Sequence, residues 1–564
     1  MSAAVPPTRD TGDGADADDA DGAAGRQPGL AGLPNDDAFA DGGLSRADLS
    51  AVAAARGLRP EDLEARLKAD ASSRTAVLVI YGVALFWLLT GSLEGELASL
   101  KLHWPDLLTQ YAWLTFGRVR TAHLHSVNYG WASAALIATS LWLLPRLVHA
   151  ELKGAWLAVV GAVLFTVGLV AGVVGVLAGY SDGMEWLEGN RYATAPFLVV
   201  GGGLIGLSLF RTAAARTADH LYVSVWYILG AFVWFPMLYA TGKIPTWGGA
   251  ESAAVNWFYA HNVLGFWLTA MSVGAAYYFI PKVLGRPVYS YQLSVLGFWS
   301  LALFYSLNGM HHLVGGPIPT WMVTTSIVAS IFMFIPVVAT GINLHMTVLG
   351  RFGALRYSPT LRFVVIGALS YTAVSLQGSL TALREVNRIT HFTHWTVAHS
   401  HVGGYGFVTF VAFGAMYYII PRLVGHEWPS AKLIRWHFNL AVAGIAVYVL
   451  ALSWAGVAQG LALLDPKLPF QYSVTRTLPG LYGRSVGGLL MNLSHFVFAY
   501  HFYLMVRMPR GTPRRSRPPF HEAQPLLYTA QATADRAAGR APAGAAALGR
   551  APDGLRPAAD GGAA

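Results

Sequence analysis

The sequence contains no cysteine among its 564 residues. Disulfide bonds, thiolate metal sites and covalent haem attachment through a CxxCH motif are therefore excluded within this chain. A metal site in this chain has to use histidine, methionine, tyrosine or carboxylate ligands.

Charged residues are also scarce. They make up 12% of the chain, and hydrophobic residues make up 54%, whereas a soluble domain carries about 25% charged residues. Apolar runs of at least 18 residues recur, and each is long enough to cross about 30 Å of hydrocarbon. The composition therefore predicts an all-α polytopic membrane protein. The net charge of +9 is attributed to short loops and the C-terminal tail, and not to a nucleic-acid surface.

The chain divides into three predicted regions. Residues 1–72 are expected to be a disordered, acidic, Ala/Gly/Asp-rich extension, in which 46–70 can form a short amphipathic helix. Residues 73–508 form the transmembrane core, and 509–564 form a basic and then Ala/Gly-rich disordered tail. Twelve spans are predicted in the core, at 75–95, 122–145, 155–178, 195–211, 220–241, 258–280, 293–312, 321–345, 363–382, 395–421, 436–460 and 485–507. Arginine and lysine in the loops after even-numbered spans predict that both termini are cytoplasmic.

Histidines are the most informative polar residues. Of the 18 in the chain, a set falls in four predicted spans at a similar depth, in the outer third of the membrane. An imidazole in hydrocarbon is costly unless it is paired or binds a metal, and neutral imidazole is a common ligand of copper and haem iron. The set therefore predicts metal centres; its members are His123, His125, His261, His311, His312, His399 and His401.

Spacing separates the roles of these histidines. His399 and His401 point about 200° apart on a helix, so they serve two centres on opposite sides of one span. His311 and His312 point only about 100° apart, before the helix-loosening sequence VGGPIP, so they can bind one metal. His261 is the expected third ligand, which leaves an open position on that metal.

Five segments carry a resemblance to a known family. They are FGRVRTAHLH (116–125), WFYAHNVLGFWLTA (257–270), YYFIPKVLGRPVYSYQLS (277–294), FYSLNGMHHL (304–313) and VNRITHFTHWTVAHSHVGGYGF (386–407). Through them, residues 116–508 resemble the catalytic subunit I of haem–copper oxygen reductases, closest to the C family of cbb-type cytochrome c oxidases. The resemblance implies the twelve-helix haem–copper oxidase subunit I fold.

The resemblance also implies three metal centres. His261, His311 and His312 look like the ligands of one copper ion, and His399 looks like the axial ligand of a high-spin haem that faces the copper. His401 looks like one axial ligand of a low-spin b-type haem. The other ligand is His123 by the motif spacing, with His125 as the competitor.

Tyr305 resembles the tyrosine that, in the C family, is cross-linked to the first copper ligand, here His261. A phenol at this position supplies both an electron and a proton to O2. Nitric oxide reductases of the same fold carry a glutamate four residues after the first metal histidine, where this chain has Gly265. Tyrosine and glycine together favour O2 reduction.

Other family positions are matched with some departures. Tyr277, Ser294 and Tyr371 match a proton path that ends at Tyr305. The haem propionates are expected to contact Arg118, Arg120, Arg384, Arg388 and His391. Glu185 and Glu188 are candidate ligands of a Ca²⁺ ion near the propionates. His394 and Gln377 stand where the family usually has aspartate and glutamate.

The implied function is that of a terminal respiratory oxidase in a bacterial cytoplasmic membrane, which reduces O2 to water and translocates protons. Electrons are expected from a membrane-anchored c-type cytochrome subunit or from soluble cytochrome c, and quinol remains open as a direct donor. The alternatives are a nitric oxide reductase of the same fold and, more distantly, a proton-coupled transporter whose histidines relay protons.

Overall fold

The computed structural model describes residues 60–244, 248–356, 358–424 and 428–507. In these ranges, twelve helices are long and apolar enough to cross a membrane, and the only extended pairing is one isolated bridge, between Ser181 and Gly189. Most of the predicted N-terminal extension and the predicted tail at 509–564 lie outside the described residues. The twelve spans are α1 (Glu64–Lys101), α2 (Phe116–Val148), α3 (Ala155–Ala178), α4 (Ala195–Ala214), α5 (Val223–Lys243), α6 (Gly249–Leu284), α7 (Tyr291–Leu313), α8 (Thr320–Val348), α9 (Pro359–Thr381), α10 (His394–Val424), α11 (Ala431–Leu464) and α12 (Phe470–Arg507).

The first helix starts earlier than the sequence predicts. The helix that contains α1 begins at Pro60, inside the segment assigned to the extension, and proline is favoured in the first turn of a helix. Contacts with α2 and the loop after it hold this part in place. Arg146 donates to Asp70 at 2.5 Å, and the Leu152 amide donates to the Ser72 hydroxyl at 2.8 Å. The amphipathic stretch and the first apolar run therefore form one helix.

Short helices and caps complete the connections. Ala112–Leu114 and Phe352–Arg356 are 3₁₀ helices, and Arg384–Thr390 is an α-helix. The helices α7, α9 and α11 each follow a serine whose hydroxyl accepts a hydrogen bond from the amide three residues later. Such a serine cap contributes about 1 kcal/mol.

Three helices form the interior of the bundle. In α2, α6 and α10, 89% of the residues in the most apolar stretch are buried, compared with 33% to 56% in the other nine spans. Five of the seven intramembrane histidines lie in these three helices. The polar set is therefore in the protein interior and not at the lipid surface, as expected for functional groups in a membrane protein.

Irregular helical turns accompany every one of these histidines. The segments Ser126–Ser133, Leu264–Thr269 and Val402–Thr409 are π-helical and follow the histidines of α2, α6 and α10. Tyr305–Leu313, which ends α7, is a 3₁₀ helix. π-helical turns occur frequently at functional sites because they change the direction of the side chains around them.

Candidate metal centre

Three histidines from two spans converge at one point. His261 lies in α6, and His311 and His312 lie at the end of α7. One ligand atom of each lies within 4.8 Å of the others, and among the described residues this is the one group of three or more His, Asp or Glu side chains placed to hold an ion. Three neutral imidazoles form a typical ligand set for copper. The donor set therefore fits the metal that the resemblance implies.

The local helix type differs from the expectation. The α-helical part of α7 ends at Phe304, before the VGGPIP sequence that was expected to loosen it. His311 and His312 thus lie on a 3₁₀ helix, where successive side chains are about 120° apart and not about 100°. Their ring centres are 4.5 Å apart, so both rings still reach the same point.

Tyr305 lies directly against this group. Its ring centre is 4.5 Å from that of His261, with an angle of 28° between the ring planes. Gly265 provides the space for it, because a Cβ atom at that position would overlap the Tyr305 ring. The tyrosine and the glycine that the resemblance singled out are therefore in contact.

His399 and His401 have different neighbours, as their spacing predicts. Nδ1 of His399 lies 3.3 Å from Oε1 of Gln377 on α9, and His399 is close enough to His261 to interact with it electrostatically. Nδ1 of His401 lies 2.8 Å from the Val397 carbonyl. An amide or carbonyl oxygen only accepts, so Nδ1 donates in both rings and each Nε2 has a lone pair for a metal.

His123 and His401 face each other across the interior. Their ring centres are 6.4 Å apart, and the planes are within 10° of parallel. Nδ1 of His123 donates to the Gly91 carbonyl at 2.6 Å, which leaves its Nε2 with a lone pair. Two imidazoles that bind one iron from opposite sides through bonds of about 2 Å need a separation close to this. The pair fits the two axial positions of a haem.

His125 has a different environment. Its Nε2 donates to Glu188 at 3.0 Å, and both side chains are buried. Glu185 accepts from Arg120 at 2.8 Å. One oxygen of each carboxylate thus already has a protein partner, and the Ca²⁺ site expected at Glu185 and Glu188 stays a prediction.

The chain has relatives among known proteins. Residues 75–490 match the family described as cytochrome c and quinol oxidase polypeptide I. The chain belongs to this family. A "Cytochrome c oxidase subunit 1 homolog, bacteroid" of Bradyrhizobium diazoefficiens is 33% identical over 76% of this chain and 81% of its own. The cbb3-type cytochrome c oxidase subunit CcoN1 of Stutzerimonas stutzeri is 31% identical over 75% of this chain and 93% of its own.

A solved structure supports the fold. A haem–copper terminal oxidase, determined as a dimer by cryo-EM, aligns with a TM-score of 0.64 and 16% identity over 80% of this chain and 87% of that one. The predicted resemblance to haem–copper oxygen reductases and the predicted twelve-helix fold are confirmed. The chain is a multi-pass membrane oxidoreductase subunit of the terminal oxidase family.

The arginines expected at the propionates have mixed surroundings in this oxidase subunit. Arg120 is within electrostatic reach of His123, whereas Arg118 donates to the Leu177 carbonyl at 3.1 Å. Two others are exposed: Arg384 donates to Thr324 at 3.0 Å, and Arg388 pairs with Glu385 at 3.4 Å. Proximity in sequence does not give the direction in which these long side chains point.

His391 lies close to His311 and His312. It is within hydrogen-bonding reach of the His312 backbone. Burial lowers the pKa of His391 below its ordinary value, so the ring is mainly neutral at pH 7. A neutral ring can donate to the carbonyl without adding charge beside the metal ligands.

An unpredicted arginine and tyrosine lie beside His123 and His401. The Tyr448 hydroxyl accepts from Nε of Arg484 at 3.1 Å and lies 3.2 Å from Nε2 of His401, so it donates to the lone pair on that nitrogen. A metal held by His401 has to replace this contact. Arg484 also interacts electrostatically with His123. Both residues lie outside the five segments that carried the resemblance, and neither has a distinctive local sequence, so no sequence pattern pointed to them.

The predicted proton-path residues are joined by two others on α8. Asn343 donates to Ser294 at 3.1 Å and to the Tyr277 hydroxyl at 3.4 Å. Thr340 lies within hydrogen-bonding reach of Tyr277 and of Tyr371, and Tyr371 is within electrostatic reach of Tyr305. The sequence offered no clear signal for Thr340 and Asn343, because α8 carries several other polar residues.

Proposed function

We propose that this chain is the catalytic subunit of a terminal oxidase that reduces O2 to water with electrons from cytochrome c and couples this reaction to proton translocation. The observation that carries the proposal is the convergence of three histidines with the ring of Tyr305, 4.5 Å from His261. Gly265 leaves no carboxylate at this point. The relatives that are named cytochrome c oxidases support cytochrome c as the source of the electrons.

Two haems and one copper ion are the proposed cofactors. His261, His311 and His312 hold copper, and His399 holds the high-spin haem. His123 and His401 hold a low-spin haem, for which b-type is proposed. When bound, these groups supply electrons to O2, four for each molecule reduced to two water molecules.

The protein's own residues hold the metals and deliver protons. The six histidines present neutral nitrogens in fixed orientations, and the interior position of α2, α6 and α10 keeps bulk water away from them. Tyr305 donates a proton from its hydroxyl beside His261. Protons that replace it pass along the hydroxyls and the amide of Ser294, Asn343, Tyr277, Thr340 and Tyr371.

The remaining assignments concern the surroundings of the subunit. A bacterial cytoplasmic membrane and cytoplasmic termini are proposed from the loop charges. The immediate donor is proposed to be a membrane-anchored c-type cytochrome subunit or soluble cytochrome c, because this chain has no cysteine for a covalent haem. Arg120 and Arg484, both within electrostatic reach of His123, are proposed to contact haem propionates, together with His391.

The test uses the purified oxidase with its native subunits. We expect O2 uptake with reduced cytochrome c. Metal analysis should give two haem irons and one copper for each copy of this chain, after the iron of any c-type haem in the other subunits is subtracted. Consumption of nitric oxide without O2 uptake, together with a third iron in place of copper, would identify a nitric oxide reductase instead. A reduced-minus-oxidised spectrum without haem bands would contradict both enzymatic functions.

A matched pair of variants tests whether His123 or His125 is the ligand of the low-spin haem. His123→Gln is expected to remove the low-spin haem signal, because an amide side chain is not an effective haem ligand. His125→Gln is expected to retain it, since glutamine can still donate to Glu188. Reduced-minus-oxidised spectra and haem content per protein distinguish the two variants. The opposite result would make His125 the ligand.

A variant at Asn343 tests the proposed proton path. Asn343→Leu removes the side chain that links Ser294 to Tyr277, and we expect turnover to fall by about tenfold, or about 1.4 kcal/mol. The haem spectra should not change. Asn492→Leu, a change at a buried asparagine on α12, is the control. Equal O2 uptake and proton uptake in the two variants would exclude Asn343 from the path.

A further inference from the structure

Two serines on α8 contact the histidine segment at the end of α7. Ser326 and Ser330 are one helical turn apart, so they lie on the same face of α8. Both are buried, with exposed fractions of 0% and 1%. They approach His311 at two different places, one at the ring and one at the backbone.

Ser330 determines which ring nitrogen of His311 is free. Its hydroxyl donates to the Ser326 carbonyl at 2.7 Å, and its oxygen lies 2.8 Å from Nδ1 of His311. A hydroxyl has one hydrogen, and here the carbonyl takes it because a carbonyl only accepts. Nδ1 of His311 must therefore donate to Ser330. This leaves the lone pair on Nε2.

Ser326 fixes the backbone of the same residue. The His311 amide donates to the Ser326 hydroxyl at 2.9 Å, and that hydroxyl donates to the Asn308 carbonyl. The Asn308 carbonyl and the His311 amide are the two groups that a 3₁₀ turn joins directly. The serine hydroxyl bridges them, and a side chain inserted between such groups changes the local course of a helix.

His312 is oriented by a different kind of contact. Its ring stacks on Trp257, with ring centres 4.0 Å apart and an angle of 13° between the planes. Stacking restricts the plane of the ring but does not determine which nitrogen carries the hydrogen. The adjacent rings of His311 and His312 are thus held by two different kinds of contact, hydrogen bonds for His311 and stacking on Trp257 for His312.

We infer that Ser330 and Ser326 are positioning residues for His311, in which Ser330 sets the ring tautomer and Ser326 sets the backbone. This inference rests on the proposed copper site. Hydrogen bonds from a ligand's second nitrogen raise its basicity, and loss of such a partner lowers metal affinity by about 10- to 100-fold. Neither serine touches the metal, so both act through His311.

The test compares Ser330→Ala and Ser326→Ala with Ser300→Ala in the complete oxidase. Ser300 is a buried serine on α7 whose hydroxyl donates to the Leu296 carbonyl within its own helix, so it controls for the loss of a buried hydroxyl. Copper is removed with a chelator and titrated back. The C–O stretching frequency of carbon monoxide on the reduced copper reports how strongly the imidazoles donate.

We expect copper affinity to fall about 10- to 100-fold in Ser330→Ala and the C–O frequency to rise, with the low-spin haem spectrum unchanged. Ser326→Ala should lower the affinity as well, and Ser300→Ala should match the wild type. Wild-type affinity and frequency in Ser330→Ala would overturn the inference while leaving the copper site intact. A wild-type oxidase that contains both haems but binds no copper would instead overturn the proposed function.

Discussion

Replacing Tyr305 with phenylalanine is expected to lower the rate of O2 reduction by at least about 100-fold, the usual scale for loss of a positioned proton donor. Phenylalanine keeps the ring that packs on His261 and against Gly265, so the change removes only the hydroxyl. Haem and copper contents should stay at wild-type values because Tyr305 binds none of the metals. O2 uptake and metal analysis of the same preparation measure the two quantities.

A second tyrosine controls for the loss of a buried hydroxyl. Tyr81 is fully buried, and its hydroxyl lies 2.9 Å from Thr139, away from the histidines. Tyr81→Phe should cost about 1 kcal/mol of stability and leave turnover unchanged. If Tyr305→Phe keeps more than half of the wild-type rate, the proton donor at this centre is another group.

The sequence was most informative about helices and histidines. Long apolar runs predicted all twelve spans, because crossing a membrane constrains length and composition together. Spacing on an ideal helix correctly predicted different neighbours for His399 and His401. The helix that contains α1 begins at Pro60, and this start was missed because an amphipathic stretch before a span resembles a separate surface helix.

Irregular turns and distant hydrogen bonds could not be predicted from the sequence. Nothing in the sequences of α2, α6 and α10 distinguishes a π-helical turn from an α-helical one, since each is stabilised by packing against neighbouring spans. Ser330 and Asn343 were not selected, because a polar residue in a membrane span has many uses. Its partner, on another span, becomes known only from the folded structure.

The second large effect is expected from Gly265→Ala. A Cβ atom at this position would overlap three atoms of the Tyr305 ring, and Gly265 lies on the buried π-helical segment of α6, which has little room to shift. Tyr305 must then move away from His261. We expect O2 reduction to fall by about 100-fold, as in Tyr305→Phe. Gly82→Ala, on α1 with no atom within 4 Å of the added carbon, should leave the rate unchanged.

The double variant Gly265→Ala with Tyr305→Phe tests whether glycine acts through tyrosine. If it does, the double variant should be no slower than Tyr305→Phe alone, because changes at residues in contact are not additive. Additive losses would mean that Gly265 supports another part of the site.

The contact between Gly265 and Tyr305 also explains why glycine and tyrosine occur together in this sequence. Position 265 can carry a side chain or position 305 can carry a tyrosine beside His261, but the space between them does not hold both. A glutamate at position 265 would therefore introduce a carboxylate and, at the same time, displace the ring of Tyr305, the proposed proton donor.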